Sequence, residues 1–496
     1  MSPPLPPSAP ASAPDIGTSR QLARAVLEQV ERERAFANRA LSAALDRART
    51  LSAEERALGT ELVYGVLRRQ ARLDRALDAL SDRGLSGIGV SVRIVLRVAA
   101  YQLLFLDRVP AYAAVNEAVE ACKQLRNGAR FAGLANALLR RLADRREPPL
   151  PDAASDPLGY LVEGAGLPEW LARLAIEQLG AATAVAFGDT VGSPAPLAVR
   201  ANRLRVDREG LTCRLREERP GAELTASPIT PDALLVRRID SPFLTRAFTD
   251  GLFAIEDVGA QVVAELCGAA PGERILDACA GLGGKSAHLA VLAGNRAEID
   301  AVDISPAKLR QARELARRLG VEGLTTLATD LTRPWPSSGR RYHRVLLDAP
   351  CAGLGVLRRH PEALVRRTPA DLPALAAKQS RMLETVAPLV LPGGLLVYSV
   401  CTFDRAECEE VVGRFLAARS DFRIESPLET GPEAAPAPAG ELPAPQSGAA
   451  RSETTPAATT VDWRSVTDGA GLVRTWPQRH DADAFFAVRL RCTAVA

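Results

Sequence analysis

Long apolar runs are missing from this chain of 496 residues. No stretch approaches the ~18 consecutive apolar residues that a membrane-spanning helix needs, so we predict no contact with a membrane. The opening MSPPLPPSAPASAP also lacks the basic region and the apolar core of a secretion signal. We therefore expect residues 1–17 to form a disordered leader and the protein to be cytoplasmic.

Grouped metal ligands are missing as well. The chain has four histidines in all, and its eight cysteines form no CxxC pair and no cluster with histidine. Scattered cysteines are typical of a reduced protein of the cytosol, which excludes a fold held together by disulfides. We predict no metal site, and since the sequence shows no coiled coil or repeat, we expect a monomer.

The net charge of +3 hides an uneven distribution. Residues 16–146 contain 23 Lys or Arg and 14 Asp or Glu, a net charge of +9, which leaves −6 for the rest of the chain. A basic segment on a nearly neutral protein indicates a polyanionic partner, most often a nucleic acid. The alternative, that these arginines only cover the solvated faces of helices, stays open on charge alone.

The hydrophobic pattern predicts an all-α bundle for residues 18–146. Leu22 and Val26 lie on one face of a helix, and Val92 and Leu96 belong to a second stripe at helical spacing. Such stripes must be buried against one another, so we expect the helices to pack into one bundle.

The next segment is smaller and mixed. After a proline-bearing linker at 147–157, residues 158–250 combine a helix around Trp170 with a strand of alternating pattern at 197–206. We predict a small α/β domain here that positions the substrate.

Short apolar strands alternate with helices from residue 251 to 496, which predicts a Rossmann-like α/β domain with a mostly parallel sheet. A segment at 426–460 is rich in Pro, Ala, Ser, Thr and Glu, so we expect a disordered insertion. The fifth strand follows a turn at 392–394. The predicted strands are 275–277, 299–303, 324–330, 345–348, 395–400 and 485–490.

The stretch RILDACAGLGGKS, residues 274–286, joins a strand to a helix through a glycine turn. Two interpretations compete for it. A phosphate-binding P-loop needs a glycine at position 279, where this chain has Cys279. A nucleotide-cofactor fold needs an acid at the end of the next strand, about 20 residues on, and Asp303 lies 19 residues after Gly284. The spacing favours the nucleotide cofactor.

Four predicted strands end in an acid, at Asp277, Asp303, Asp330 and Asp348. In an open α/β sheet the carboxyl ends of the strands line the ligand crevice, so we expect these carboxylates to share one site. Asp303 suits the hydroxyls of a ribose, and Asp330 suits the amino group of an adenine. Each acid taken alone could equally be the N-cap of a helix.

Two cysteines also follow strand ends. Cys351 comes shortly after Asp348 and Pro350, and Cys401 directly follows the strand at 395–400. Adjacent strands would turn both thiols toward the same crevice. That placement favours a reactive role over the buried, inert state that is commoner for cysteine.

Two resemblances become specific at these residues. LGTELVYGVLRRQARLD, LRVAAYQLLFLDRVPAYAAVNEAVE and GLANALLRRL resemble the NusB-like RNA-binding domain. DACAGLGGKS, DAPCAGLGVLRRHPE and YSVCTF resemble the motifs of RNA (cytosine-5)-methyltransferases that use S-adenosyl-L-methionine. Together they resemble the bacterial 16S ribosomal RNA (cytosine-5)-methyltransferases. The resemblance implies 16S ribosomal RNA as the partner, and methylation of carbon 5 of one cytosine.

The same resemblance implies a role for each motif residue. Cys401 would be the nucleophile that bonds carbon 6 of cytosine, Cys351 would assist product release, and Asp348 would lie between cofactor and base. Asp303 would bind the ribose of the cofactor, and Asp330 would lie near its adenine. The methionine part would be wrapped by Cys279, Ala280, Gly281, Leu282, Gly283, Gly284 and Lys285.

Some motif positions depart from the family pattern. Gly281-Leu282 replaces Ala-Pro, Val400 replaces a threonine before the nucleophile, and Arg405-Ala406-Glu407-Cys408 replaces Pro-Glu-Glu-Asn. A second hypothesis is therefore an RNA-binding module with a decayed catalytic half, and a third is a P-loop ATPase. The intact cysteines and strand-end acids favour the enzyme.

Overall fold

Two compact units make up the described part of the chain. The first comprises the described residues up to 176 together with 181–192 and 360–366, and the remainder forms the second. No helix in these described parts is long and apolar enough to cross a bilayer. The predicted leader and the predicted insertion lie almost wholly outside the described residues, and the predicted domain borders remain predictions. The computed structural model describes residues 16–81, 84–85, 87–145, 147–239, 241–335, 339–429 and 460–494.

The first unit is a helical bundle, which confirms the all-α prediction for this part of the chain. Thr18 and Ser52 cap two of its helices by accepting the backbone N–H groups of Gln21 and Glu55. Such caps satisfy N–H groups that a helix leaves unpaired at its start. The helices are α1 (Ser19–Glu33), α2 (Ala37–Arg47), α3 (Ala53–Asp78), α4 (Val90–Phe105), α5 (Ala111–Gln124) and α6 (Ala132–Arg145). The chain continues through α7 (Pro157–Gly159), α8 (Glu169–Leu179) and α9 (Ala181–Val191).

Helices α3 and α4 are in close contact at Gly65. A Cβ added there would meet the ring of Tyr101 at 2.1 Å, so glycine is the residue that fits. Nearby on α4, the buried Arg97 pairs with Asp74 and with Glu31, each at 2.7 Å. Removing one partner of such a buried pair is costly because it leaves the other charge uncompensated.

An antiparallel sheet comes first in the described part of the second unit. Its strands are β1 (Leu197–Ala201), β2 (Glu223–Ala226), β3 (Ala233–Arg237) and β4 (Phe253–Ile255), in the order β2-β3-β1-β4. Helices α10 (Arg208–Glu218) and α11 (Arg246–Thr249) connect them. The strand predicted at 197–206 is too long. It ends at Ala201 because the carbonyl of Asn202 accepts the N–H groups of Arg205 and Val206 in a turn.

A larger sheet follows, and its centre is parallel, as the sequence predicts. Its strands are β5 (Arg274–Asp277), β6 (Glu298–Asp303), β7 (Leu324–Ala328), β8 (Tyr342–Asp348), β9 (Val390–Val400), β10 (Phe422–Ile424), β11 (Val473–Arg474) and β12 (Phe486–Cys492). The order is β10-β12-β9-β8-β5-β6-β7, with β11 beside β12. The helices are α12 (Val258–Cys267), α13 (Gly284–Leu292), α14 (Pro306–Leu319), α15 (Ala363–Arg366), α16 (Asp371–Val386), α17 (Glu409–Ala418), α18 (Trp463–Val466) and α19 (Pro477–His480), of which α15 belongs to the first unit.

Strand β9 is irregular near its start. The sequence predicts a turn at 392–394 before a strand that begins at residue 395, but β9 already begins at Val390. Tyr342 pairs with Val390 and Arg344 pairs with Leu395. Between these two pairs β9 advances by five residues while β8 advances by only two. The Pro-Gly-Gly sequence therefore forms a bulge within the strand rather than a turn before it.

The order of the large sheet decides which side chains meet. Strands β5, β6, β8 and β9 are parallel neighbours, so their carboxyl ends lie at one edge, where ligands bind in open α/β sheets. Strand β7 ends at Ala328, earlier than predicted, which leaves Asp330 two residues beyond it. The residues at or just after the other strand ends are Asp277, Asp303, Asp348 and Cys401.

The contact at Gly65 predicts the effect of one substitution. Gly65→Ala should lower the free energy of unfolding of the helical unit by about 1–3 kcal/mol, because the added methyl group overlaps the Tyr101 ring. Gly133→Ala in α6 is the matched control, since nothing lies within 4 Å of its added Cβ and alanine favours a helix. Thermal unfolding of both full-length variants, followed by circular dichroism, measures the difference. Equal midpoints would contradict the prediction.

Candidate functional site

The glycine turn between β5 and α13 lies at the carboxyl edge of the large sheet. Gly281 and Gly283 adopt left-handed backbone, with φ of 56° and 82°, which residues with side chains avoid. A Cβ at Gly283 would meet the Cβ of Ala312 at 2.6 Å, whereas one at Gly284 would meet nothing within 4 Å. The turn is therefore pressed against α14 on one side and open on the other. Its open side lies at the start of a helix, where N–H groups favour an anionic group.

Among the other turn residues, Ala280 is bonded to the sheet, whereas Leu282 is exposed to solvent. The N–H of Ala280 donates to the carbonyl of Val302 in β6 at 2.8 Å, and the N–H of Gly283 donates to the carbonyl of Ala280 at 2.8 Å. Leu282 is 54% exposed at the tip of the turn. The backbone thus ties the turn to the sheet while its tip stays accessible.

Asp303 lies directly beside the turn. Its Oδ2 accepts the N–H of Gly281 at 3.1 Å, and its Oδ1 accepts the N–H of Ser305 at 2.8 Å. Nζ of Lys308 lies 3.6 Å from Oδ2, too far for a hydrogen bond. Each carboxylate oxygen can accept a second hydrogen bond, so Asp303 can still receive two hydroxyl groups. The adjacent Ile304 is 66% exposed. This exposed apolar residue was not predicted as part of the site, although its position directly after Asp303 could have identified it.

Asp348 lies at the end of β8 and is paired with a lysine at the carboxyl edge of the large sheet. Its Oδ2 lies 2.7 Å from Nζ of Lys285, and its Oδ1 accepts the hydroxyl of Ser399 at 2.8 Å. Burial disfavours the ammonium group, but the charge of Asp348 and its hydrogen bond outweigh burial and raise the pKa of Lys285. The lysine therefore stays charged, and together with Ser399 it fixes the orientation of the carboxylate.

The two strand-end cysteines meet. Their Sγ atoms, on Cys351 and Cys401, lie 3.3 Å apart, which is hydrogen-bond distance for sulfur, and both residues are half-buried. The hydrogen bond to Cys401, burial, and then the negative charges of Glu407 and Asp348 raise the pKa of Cys351. Cys351 is therefore held as a neutral thiol beside its partner.

Asp277 and Cys279 support the turn from inside the protein. Asp277 is 1% exposed, accepts the hydroxyl of Ser286 at 2.6 Å, and has its pKa raised to about 6 by burial against the effect of that hydrogen bond. Burial and then the neighbouring carboxylates of Asp277, Asp348 and Asp303 raise the pKa of Cys279. A thiol that stays protonated is a poor nucleophile.

Asp330 differs from the other predicted acids in lying two residues beyond the end of its strand, β7. Its Oδ1 accepts both the N–H and the hydroxyl of Thr332, at 3.0 and 2.7 Å, and the guanidinium of Arg333 lies 3.7 Å from its Oδ2. The hydrogen bonds from Thr332 lower the pKa of Asp330, so it is a carboxylate. Its side chain is 30% exposed, and its partners Thr332 and Arg333 both lie within three residues of it along the chain.

Two buried residues next to the cysteines, Glu407 and Gln379, were not predicted from the sequence to belong to the site. The carboxylate of Glu407, six residues after Cys401, accepts the N–H of Ala352 and the side-chain amide of Gln379. Glu407 could have been identified from the sequence, because it retains a glutamate of the Pro-Glu-Glu-Asn motif whereas the residues on both sides of it differ from that motif. Gln379 lies in the middle of α16 and carries no such signal.

A separate buried cluster contains three possible metal ligands. One ligand atom each of Asp232, Glu265 and His288 lies within 4.8 Å of the others. Arg203 pairs with Asp232 at 2.7 Å and with Glu265 at 3.7 Å. A cationic side chain thus already compensates both acids in this cluster.

Comparisons with known proteins give a consistent result. A family model described as 16S rRNA methyltransferase RsmB/F matches residues 266–491, and a NusB family model matches residues 17–144. The chain is 33% identical to a probable ribosomal RNA small subunit methyltransferase B of Synechocystis, over 96% of this chain and 99% of that protein. It is 38% identical to the ribosomal RNA small subunit methyltransferase B of Thermus thermophilus, over 82% and 90%. The crystal structure of PH0851 shares the fold, with a TM-score of 0.73 and 22% identity over 96% of this chain and 100% of that one.

The buried Glu407 predicts a pH dependence of stability. Burial raises its pKa from 4.5 to about 7, opposed by hydrogen bonds from Gln379 and Ala352 and by the charge of Arg367, and reinforced by Asp404. Between those two pH values the unfolded chain releases this proton while the folded chain retains it, so stability falls as pH rises. The loss should reach at most about 3 kcal/mol above pH ~7.

Glu407→Gln should lack this contribution. Denaturant unfolding of the full-length wild type and variant between pH 5 and pH 8 measures it as the change in their stability difference. A difference that stays constant across this range would contradict the raised pKa.

Proposed function

The chain belongs to the RsmB/F family of 16S ribosomal RNA methyltransferases, with a NusB-family domain in front, and we propose that it methylates carbon 5 of a cytosine in 16S ribosomal RNA. The observation that carries the proposal is the 3.3 Å contact between Cys351 and Cys401 beside Asp348. Two thiols at one ligand crevice match the demands of this reaction, in which one sulfur bonds the base and the other helps to free it.

S-adenosyl-L-methionine is the proposed cofactor, and the residues of the edge fit it. The open turn from Cys279 to Lys285 would hold the methionine part, the free acceptor positions of Asp303 would receive the ribose hydroxyls, and the exposed Ile304 would cover the adenine. Asp330, a partly exposed carboxylate, would lie near the adenine amino group. When bound, the cofactor supplies a methyl group activated by a positively charged sulfur.

Cys401 is proposed as the nucleophile because carbon 5 of cytosine is too weak a nucleophile by itself. When the thiolate bonds carbon 6, the electrons of the ring double bond become available at carbon 5, which then attacks the methyl group. Asp348, fixed by Lys285 and Ser399, would bind the polar edge of the ring and stabilise this adduct. The cytosine must leave its stack to reach the crevice.

Cys351 is proposed to act in the second half of the reaction. Water takes the proton from carbon 5, the electrons of that C–H bond re-form the ring double bond, and the bond between carbon 6 and Cys401 breaks with its electrons going to sulfur. Cys351 lies 3.3 Å from that sulfur and is kept as a neutral thiol by the surrounding burial and negative charge. A neutral thiol in this position can donate its proton to the departing sulfur of Cys401, and it does not compete with Cys401 for carbon 6 of the cytosine.

Binding of RNA is assigned to the basic helical unit. Residues 16–146 carry a net charge of +9, and this stretch coincides with the NusB family match at 17–144. Positive charge of this kind binds the phosphate backbone without sequence preference, and base contacts at the crevice would then select the cytosine. The cytoplasmic location and the monomeric state remain predictions.

Cys401→Ala should abolish methylation of small-subunit ribosomal RNA while leaving cofactor binding intact, because the alanine removes the nucleophile but touches no part of the turn. Transfer of labelled methyl groups and calorimetric binding of S-adenosyl-L-methionine measure the two effects. Cys213→Ala, at an exposed cysteine of α10, is the matched control and should behave like wild type. Residual methylation by Cys401→Ala at the wild-type rate would refute the assignment.

Cys351→Ala should accumulate a covalent complex between protein and RNA, because the adduct forms but is not resolved. Denaturing gel electrophoresis after incubation with RNA and cofactor detects the complex as a shifted band. The band should disappear in the double variant that also carries Cys401→Ala. A Cys351→Ala protein that turns over normally, with no shifted band, would exclude a role in release.

A further inference from the structure

Side chains hold the backbone on both sides of Cys351. The amide of Gln379 donates to the carbonyl of Pro350 at 3.1 Å, before the cysteine. The guanidinium of Arg367 donates to the carbonyl of Cys351 at 3.1 Å and to the carbonyl of Ala352 at 2.9 Å. The remaining partner is Glu407, whose Oε1 and Oε2 both accept the N–H of Ala352, at 3.2 and 3.0 Å. Such a loop has little freedom to rotate or shift.

Glu407 is itself fixed within this arrangement. It is fully buried, and its Oε2 accepts the side-chain amide of Gln379 at 2.7 Å. The hydroxyl of Tyr398 donates to its backbone carbonyl at 2.6 Å. Because Glu407 lies six residues after Cys401, one side chain joins the loop after β9 to the loop after β8. The distance between the two thiols therefore depends on this carboxylate.

A carboxylate suits this position better than an uncharged group of similar size. Both carboxylate oxygens accept the N–H of Ala352, and Oε2 also accepts the side-chain amide of Gln379. A glutamine in either orientation would turn an NH₂ group toward the N–H of Ala352, which is itself a donor. Burying a carboxylate is costly, and burial indeed raises the pKa of Glu407 to about 7. Strongly shifted pKa values of this kind cluster at functional sites.

We propose that Glu407 is a positioning residue that holds Cys351 in place for release of the methylated product. The inference rests on the proposed function, in which Cys351 assists the departure of Cys401 from carbon 6. Glu407 acts through the N–H of Ala352. We call the hydrogen bonds of Glu407 and Arg367 to the backbone around Cys351 the clamp. Bond formation by Cys401 and methyl transfer, the first half of the reaction, do not require the clamp. Release of the product, the second half, does.

A clamp for release and a merely structural role have different kinetic consequences. Loss of structure lowers the first round of methyl transfer and later rounds alike. Loss of the clamp spares the first round and slows all later ones, because each enzyme molecule stays bonded to its RNA. The size of the initial burst and the amount of trapped complex therefore separate the two explanations.

The test uses the full-length Glu407→Gln protein, methyl-labelled S-adenosyl-L-methionine and unmodified small-subunit ribosomal RNA. In a rapid-mixing experiment the burst of methyl transfer should be close to that of wild type. Steady-state turnover should fall by roughly ten- to a hundredfold, as expected for loss of a hydrogen bond to a charged group. A covalent complex should appear on denaturing gels. Glu410→Gln, at an exposed glutamate three residues on, is the matched control and should show neither change.

Arg367→Gln keeps the proposal testable if Glu407→Gln does not fold. This half-buried arginine holds the carbonyls of Cys351 and Ala352, so its loss should also trap the complex while the burst is preserved. If Cys351→Ala traps the complex but the folded clamp variants lose burst and turnover together, the positioning role is wrong and the proposed function stands. If wild type transfers no methyl group and Cys351→Ala traps nothing, the proposed function fails and the inference fails with it.

Discussion

Two thiols lie 3.3 Å apart because neighbouring parallel strands end at the same edge of a sheet. Asp348 of β8 pairs in register with Ser399 of β9, and the cysteines follow three and two residues later. The register thus brings Cys351 and Cys401 together. The glycine turn after β5 and the acid at the end of β6 meet the same edge for the same reason. Any change of register between β8 and β9 would separate the thiols.

Charge at this edge is arranged to serve chemistry at the expense of stability. Asp277 and Glu407 are buried carboxylates with pKa values raised to about 6 and about 7. The charge of Asp348 is compensated by Lys285 at 2.7 Å. Carboxylates and a lysine with shifted pKa values in one crevice are typical of active sites. Of these groups, Glu407 and Asp348 help to raise the pKa of Cys351, after its hydrogen bond to Cys401 and its burial.

Local patterns in the sequence predict the parallel sheet, the glycine turn and the meeting of the two cysteines, because each depends on a strand followed directly by a loop. They fail where a contact joins distant parts of the chain. Glu407 touches Ala352 across 55 positions, and no local pattern announces such a bond. The predicted strand at 197–206 overruns because a single carbonyl, that of Asn202, captures two N–H groups and ends it. Asp330 lies beyond the end of its strand because β7 is short, which periodicity does not determine.

The most direct measurement uses small-subunit ribosomal RNA that carries tritium on carbon 5 of its cytosines, incubated with the protein and carbon-labelled S-adenosyl-L-methionine. Methylation at carbon 5 replaces the hydrogen there, so tritium should appear in water in a one-to-one ratio with the methyl groups transferred. The ratio tests the reacting atom itself. Methyl transfer without release of tritium would show that another atom accepts the methyl group, and it would contradict the role of the two cysteines.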